Sequence, residues 1–391
     1  MRSNYKKLGD FISKVDVRNK NLQTENLQGL SMTKEFRKST SNIVGTNLKK
    51  YKIVGKNQFA CDFMSVIRVH KLPVVLHSSD DLIIVSPAYT VFKIIDETVL
   101  NPEYLMMWFR RPEFDRYADF RCDSAIRGGF KWDELCETEL PVPSIEKQHE
   151  IVKEYNVVKN RISLNVQLNQ KLEETAQALY KHWFVKQSSM GMLRKTLGEL
   201  CSLITDGKHG NCTDEESSGY YFLSAKDIRN NTLVYSGARQ INREEFEETH
   251  RRTDLKPKDI CMINTGATIG RMSLVPNNDK TYKTTFQKSV AVLKPKKQVS
   301  EGYFLFCLLK NAMREIIELG KGTSQHNLLL GDLKDFEVDY PGYEMVEKFE
   351  KIISPIFLTY QSKMKQNELL SSMKNLVLSK LATVKEEKEM V

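Results

Sequence analysis

Residues 144–186 read SIEKQHEIVKEYNVVKNRISLNVQLNQKLEETAQALYKHWFVK. From Ile151 the apolar positions advance in alternating steps of four and three: Ile151, Tyr155, Val158, Ile162, then Leu172, Ala176, Leu179 and Trp183. That is the spacing of a long helix that packs along one seam. Asn165 and Asn169 interrupt the series near its middle. The stretch holds no Gly or Pro to stop a helix, Ser144 suits an N-cap, and Glu146 suits the positive end of the helix dipole.

The pattern returns 198 positions later, at Phe349, Ile353, Ile356, Tyr360, Lys363, Asn367, Leu370, Lys374, Val377 and Leu381, with polar residues again at its two central positions. Pro355 is expected to kink or reset this second helix near its start. Two long helices in matching phase point to an internal duplication. What precedes each helix repeats as well. Lys7-Leu8-Gly9-Asp10-Phe11 is mirrored by Thr196-Leu197-Gly198-Glu199-Leu200, and Asp133-Glu134-Leu135 by Gly331-Asp332-Leu333, with Pro143 and Pro341 each eight residues past the Leu. β-like runs fill the first segment at Tyr51–Val54, Ser65–Val69, Val74–His77, Leu82–Val85 and Tyr89–Ile95. In the second they fall at Tyr220–Leu223, Ile260–Asn264, Met272–Val275 and Ser289–Leu293. A helix is expected over Asn101–Phe109 and its counterpart over Gly302–Leu319. The fold class is therefore α+β, in the order domain (1–143), helix (144–189), domain (190–343), helix (344–391).

Geometry then constrains the helices. A helix of about 38 residues spans roughly 57 Å. The second domain must leave the end of one helix and enter the start of the other. Parallel helices would hold those points a full length apart, whereas antiparallel helices bring them together, as a compact domain with adjacent termini requires. An antiparallel two-helix coiled coil with pseudo-two-fold symmetry is expected. Its seam is Ile151, Tyr155, Val158, Ile162, Leu172, Leu179 and Trp183 against Phe349, Ile353, Ile356, Tyr360, Leu370, Val377 and Leu381. In that register Asn165 faces Asn367 and Asn169 faces Lys363, where polar groups either fix alignment or simply face solvent.

The chain has 391 residues, 40% hydrophobic and 28% charged, ordinary for a water-soluble protein. No apolar run approaches the ~20 residues of a membrane span. Arg2, Lys6 and Lys7 precede Leu8-Gly9-Asp10 rather than an apolar signal segment, so a cytoplasmic location is expected. Seven cysteines occur singly without a CxxC pair, which argues against a zinc ribbon or disulfide framework. The net charge of +9 is spread along the chain, +4 over residues 1–144 and +2, +2 and +1 over 145–189, 190–343 and 344–391, so any nucleic-acid surface must come from local patches.

A search for catalytic motifs returns negatives. There is no GxxxxGK[ST] loop and no FxGxG with a DPPY- or NPPF-type tetrapeptide, which argues against adenine methylation by this chain. Gly266-Ala267-Thr268-Ile269-Gly270 reads as a turn beside a strand, Asp96-Glu97 and Pro112-Glu113 lack a nuclease frame, and His182 beside Trp183 reads as a helix residue. The positive signal is a set of basic, amide-rich loops, beginning with Lys34 to Asn42. Candidate DNA-binding residues are Arg37, Lys38, Ser39, Asn42, Lys49, Lys50, Arg68, Arg121 and Arg127 in the first domain. In the second they are Lys208, His209, Asn211, Lys226, Arg229, Arg239, Arg251, Arg252, Arg271, Lys321, Gln325 and Asn327. Arg and Lys suit guanine edges, Asn and Gln adenine, and glycine-flanked amides suit phosphates. The plain alternative for each is a solvated surface charge.

Taken together, the duplicated order and these stretches resemble the DNA-specificity subunits of type I restriction–modification systems. The likeness covers essentially the whole chain. It rests on Leu8-Gly9-Asp10 and Leu197-Gly198-Glu199, on Thr205-Asp206-Gly207-Lys208-His209-Gly210, on Gly266 to Arg271, and on Gly322-Thr323-Ser324-Gln325-His326-Asn327-Leu328 with Gly331-Asp332-Leu333 behind it. The first domain adds Ser124 to Gly129 and Leu140-Pro141-Val142-Pro143. The resemblance implies two target-recognition domains separated by the helix pair. Each would read one half of a split, asymmetric double-stranded DNA site, with the helices setting the gap. It also implies docking of two modification subunits acting as an adenine-N6 methyltransferase, and association with restriction subunits. This chain would be non-catalytic and bind no cofactor or metal; S-adenosylmethionine, ATP and Mg would belong to the partners. Two other classes are weighed against this reading. A helical scaffold that binds proteins but no DNA would show no salt-dependent DNA affinity, and a free-standing nuclease–methyltransferase would act without partners.

Overall fold

In the computed structural model, the structure describes residues 5–39, 45–122, 130–186, 191–229, 231–320 and 327–384. The chain divides into two compact units, Met1–Leu164 with Asn367–Val391, and Asn165–Gln366.

In the first unit the strands are β1 (Tyr5–Lys7), β2 (Ile12–Val15), β3 (Gln28–Leu30), β4 (Phe36–Lys38), β5 (Lys52–Val54), β6 (Gln58–Cys61), β7 (Val74–Leu76), β8 (Ile83–Val85), β9 (Thr90–Ile94) and β10 (Glu139–Pro141). Helices α1 (Val66–Val69), α2 (Pro102–Phe109), α3 (Pro112–Phe120) and α4 (Trp132–Cys136) lie among them, before α5 (Ile145–Lys181). The main sheet is antiparallel in the order β2-β9-β6-β7. Side chains alternate across it as a two-residue period dictates. Phe59, Phe92, Val74, Ile12 and Ile94 face a core with Tyr104, Leu105, Phe109 and Phe114 of α2 and α3. Ala60, Val75 and Val91 face a smaller core with Leu30, Val54, Ile83 and Val85. Phe59 stacks on Phe92 at 4.8 Å, with Phe109 edge-on to both.

The second unit repeats the plan. It comprises α5 from Asn165 onward, β11 (Leu193–Thr196), α6 (Leu197–Leu200), β12 (Cys201–Asp206), β13 (Tyr221–Leu223), β14 (Ile228–Arg229), β15 (Thr232–Leu233) and α7 (Arg243–Thr253). Then come β16 (Ile260–Ile263), β17 (Met272–Leu274), β18 (Thr284–Phe286), β19 (Val290–Pro295), α8 (Gly302–Glu318), α9 (Leu330–Asp335), β20 (Glu337–Tyr340) and α10 (Tyr343–Lys380) up to Gln366. Its sheet order, β12-β19-β16-β17, matches that of the first unit strand for strand. Ile260, Met262, Ala291 and Leu293 face the core of α8, while Cys261, Ile263, Val290 and Val292 face the other side.

The repeated Leu-Gly-Asp and Leu-Gly-Glu stretches have a packing cause. A Cβ on Gly9 would lie 2.8 Å from the Cys136 Cβ, and one on Gly198 3.2 Å from the Lys334 carbonyl, so each glycine lets its turn approach the helix ahead of the closing strand. Those closing strands pair β1 with β10 and β11 with β20, which delivers the chain into α5 and α10. Thr196 and Glu199 also form a reciprocal capping box at 3.3 and 2.8 Å.

Ser144 caps α5, its Oγ accepting from the Lys147 amide at 3.3 Å, and a π-turn over His182–Lys186 carries the helix on to Lys186. In the first unit Val152 and Tyr155, near the start of α5, share a core with Leu378 and Leu381 at the end of α10. In the second, Ala176, Tyr180 and Phe184 at the end of α5 share a core with Val346, Phe349 and Ile353 at the start of α10. Within each unit the helices therefore run antiparallel. Tyr5 at the first strand hydrogen-bonds the Ala382 carbonyl just past α10, at 2.9 Å.

Of the expected seam, Tyr155, Val158, Phe349, Ile353 and Leu381 are fully buried, while Ile151, Ile162, Leu172, Leu179, Trp183, Ile356, Tyr360, Leu370 and Val377 are half-buried. Val152, Tyr180, Phe184, Val346, Phe357 and Leu378 are buried beside them. The apolar face is wider than one seam because the helix ends are walls of the domain cores. Asn165 and Asn169 are 2% and 5% exposed, so neither faces solvent. Asn165 Nδ2 donates to Gln366 Oε1 at 3.0 Å, one residue from the Asn367 expected opposite it. The helix α10 continues through Pro355.

One element departs from its expected type. Ser65–Val69 is not a strand; a 3-10 turn over Phe63–Ser65 leads into α1. Asp62 accepts from the Met64 amide at 3.1 Å and the Ser65 hydroxyl at 2.5 Å, and this cap overrides the β preference of Val66, Ile67 and Val69.

Candidate nucleic-acid interface

In the first unit, Arg37 and Lys38 stand exposed on β4, with Ser39 half-buried just after it. Register places Arg37 opposite Gly29 of β3, which leaves room for the guanidinium to lie along the hairpin. The turn between β3 and β4 carries Lys34 with a left-handed φ of +60°. Lys34 is no surface cation. It is 3% exposed, and its Nζ donates to the Phe109 carbonyl and to Asp115 Oδ1 at 2.7 Å, which pins the hairpin to α2 and α3. Burial lowers the Lys34 pKa, opposed by Asp115. Burial raises the Tyr89 phenol, with Asp62 adding to the shift and Arg37 and Arg68 opposing it, and Arg68 on α1 donates from Nη2 to Ser65 Oγ at 3.2 Å. Lys49 and Lys50 are exposed on a turn capped by the Asn47 side chain, and Arg121 is exposed at the end of α3.

The second unit sorts its candidates into two groups. Around α7 they are engaged by acids. Arg252 and His209 share the buried Asp206 carboxylate at 2.5 and 2.9 Å. Lys208 lies 3.4 Å from Glu248, and Arg239 pairs with Asp214 and the Cys212 carbonyl. Arg251 lies in the last turn of α7, where the helix dipole favours a cation, and Asn211 is exposed two residues after His209. A second group is brought together without acids. Arg229 Nε donates to the carbonyl of Lys226, itself exposed just before β14, at 2.6 Å, and Arg271 Nη1 donates to the Ile228 carbonyl at 3.3 Å, so the two guanidinium groups lie against the start of the β14–β15 hairpin. The glycine-rich loop ending at Arg271 is the β16–β17 turn, with Gly266 and Gly270 at φ of +102° and +81°. Thr265 in that loop bridges to Asn327, donating to its Oδ1 at 2.9 Å. Asn42, Arg127, Lys321 and Gln325 lie outside the described residues.

Three contacts had no sequence forecast. Lys280 lies over the rings of Tyr235 and Tyr221, and Lys14 over Trp132. Glu173 of α5 joins Lys310 of α8 and Asn231 of the hairpin turn. Only the Asn-rich turn after Arg229 hinted at the last.

The strongly perturbed groups are structural. Glu350 is buried against Lys258 and the Phe304 amide, and Asp259 against Lys294; burial raises both carboxyls. Burial pushes the Cys61 and Cys261 thiols well up and Cys201 to about 12, away from reactive thiolate. Among the described residues no three His, Cys, Asp or Glu side chains are grouped to hold a metal.

Two α+β domains of one topology, each with exposed arginine- and lysine-bearing hairpins and each tied to the same helix pair, define a duplicated nucleic-acid-reading protein. The profile of the type I restriction modification DNA specificity domain matches residues 192–371. The MjaIX specificity subunit of Methanocaldococcus jannaschii is 24% identical over 314 residues, 74% of this chain and 70% of that protein. The HindI specificity subunit of Haemophilus influenzae is 33% identical over 102 residues, covering 25% of this chain and 22% of that protein. The crystal structure of a type I restriction–modification S subunit from M. genitalium shares the fold, with a TM-score of 0.55 at 16% identity over 97% of this chain and 95% of that one. Residues 192–371 thus carry the type I restriction modification DNA specificity domain, and over 74% of its length the chain is similar to a type I specificity subunit.

Proposed function

We propose that each unit reads one half of a bipartite, asymmetric duplex site, and that the chain positions two adenine-N6 methyltransferase subunits, and restriction subunits with them, on that site. One observation carries this reading: a single strand order is used twice, yet the exposed basic residues differ between the copies. A scaffold that bound one kind of protein partner would keep the two surfaces alike. Arg37 with Arg68 in one unit, and Lys226, Arg229 and Arg271 in the other, would approach bases and phosphates.

Partner docking has its own surface. In the first unit Val157 and Leu164 of α5, with Leu369, Met373 and Leu376 of α10, are exposed. In the second Val166, Leu168, Ile352 and Leu358 are exposed. Long helices that leave such side chains in water suit packing by partner helices. S-adenosylmethionine, ATP and Mg would be held by those partners, in the cytoplasm.

Sequencing of methylated bases in a host that expresses the chain with its modification subunit tests the reading. A bipartite motif that appears only with this chain supports it, and methylation independent of the chain overturns it. Titration of duplex binding against salt separates the scaffold alternative. Several phosphate contacts require affinity to fall steeply with salt, and a flat response would count against them.

A further inference from the structure

Glu173 sits at a junction that DNA reading by itself does not explain. Its Oε1 lies 2.7 Å from Lys310 Nζ of α8, and its Oε2 accepts from Asn231 Nδ2 at 2.6 Å. Asn231 in turn hydrogen-bonds the Tyr360 hydroxyl of α10, and burial together with the Glu173 charge pushes that phenol up to about 12. One carboxylate on α5 and one phenol on α10 thus hold the same amide, at the turn between β14 and β15. Asn231 has a φ of +56°, a left-handed conformation that asparagine tolerates and most residues do not. The hairpin it closes carries Arg229, whose neighbours Lys226 and Arg271 bond to the same strand-and-turn segment.

Among the described residues the first unit shows no such arrangement. By the 198-residue offset, Ser371 stands where Glu173 would be and Ile162 where Tyr360 would be. Neither can supply a carboxylate or a phenol. The tether belongs to one copy of a duplicated fold, so the shared scaffold does not demand it.

We infer that Glu173 and Tyr360 are positioning residues for the second domain, which lock the β14–β15 hairpin onto the two long helices through Asn231 and thereby set the pose of Arg229. The inference rests on the split-site reading above. A two-residue hairpin turn is free to rock about its strands unless its tip is held. Here the tip is held from the helices that would also receive the partner subunits, so partner docking and the pose of the hairpin are mechanically joined.

Asn231→Gly tests this cleanly, because glycine keeps the left-handed φ and removes only the side chain. The full chain, assembled with its modification subunit, is assayed for binding to duplexes mutated in one half-site at a time. Exchange of residues 1–143 first establishes which half belongs to which domain. The expected result is about a tenfold loss of discrimination at the half-site of the second domain, the scale of one well-placed base contact, with the other half-site unchanged and thermal unfolding unmoved. Glu173→Gln, which keeps an acceptor for Asn231, should retain most of the discrimination, and Glu173→Ala should lose it. Wild-type discrimination in Asn231→Gly, or an equal loss at both half-sites, would overturn the inference. A wild-type complex indifferent to either half-site would instead overturn the split-site reading.

Discussion

Replacing Asp115 by Asn should strand a buried ammonium. Lys34 is 3% exposed, and apart from Asp115 it has only the Phe109 carbonyl and the face of Phe114 at 5.6 Å. Asp115 also accepts from the Leu72 amide at 3.2 Å, a bond that an Asn Oδ1 preserves. The change therefore removes a charge and leaves the shape. Breaking a buried pair from one side costs about 3–5 kcal/mol. A ceiling follows from the alternative of discharging the lysine. Against an ordinary pKa of about 10.4, neutralising it at pH 7 costs at most about 4.6 kcal/mol.

The pH dependence has a definite sign. A lysine whose folded pKa lies below its unfolded one makes the native state bind fewer protons, so stability rises with pH through that window. Burial already lowers the Lys34 pKa, and loss of Asp115 removes the charge that opposes the lowering. At a pH of about 9.5 discharge costs only about 1.2 kcal/mol, and the penalty should shrink toward that value.

Urea unfolding of the full chain measures it. In a Trp183→Phe background the remaining tryptophans, Trp108 and Trp132, both report on the first unit. The double variant Lys34→Met/Asp115→Asn should recover most of the loss, because no unpaired charge remains. A penalty below about 1 kcal/mol at pH 7, or one equal at both pH values, would refute the buried-pair account.

Exchange of residues 1–143 for those of another specificity subunit should change one half of the methylated motif only; a change in both halves would refute independent reading. Insertion of one helical turn into both α5 and α10 should alter the number of bases between the half-sites and leave their sequences intact, as methylated-base sequencing would reveal. Gly207→Ala should lower the unfolding temperature by the equivalent of about 1–3 kcal/mol, since its Cβ would fall 2.0 Å from the Phe286 carbonyl. Burial pushes the Tyr235 phenol up to about 12. That raised value stabilises folding below the ordinary pKa of about 10 and is lost as pH climbs through 12. Phenolate absorbance should show a late-titrating set of buried tyrosines that includes Tyr235 and Tyr360, and Tyr235→Phe should shrink that late amplitude by one phenol.

The sequence was most legible where a period ran long. The seam from Ile151 to Trp183 and its copy needed only counting, and the short apolar run Ile260 to Ile263 marked a strand, although only the structure shows a core on each of its faces. Short elements were hidden where a local cap outweighed composition, as Asp62 does before Val66, or where a helix is polar almost throughout. Such a helix is α7, whose Asn242 side chain accepts from the Glu245 amide at 2.9 Å. Charge was the least legible feature. Lys34 and Arg37 look equivalent in a basic run, yet one is a buried anchor and the other an exposed candidate reader, a difference set by Asp115, 81 residues away in the chain. Likewise Asp206 engages both Arg252 and His209, which no spacing rule reveals.

The division of the chain has a consequence for how the protein is made. Leu378 and Leu381 belong to the core begun by Leu8 and Ile12. A ribosome that has released residues as far as Gln366 has supplied every part of the second unit while the first still lacks a wall. The half translated first must therefore be the last to finish folding. Until it does, its apolar surface near Val152 and Tyr155 stays open to chaperones and proteases.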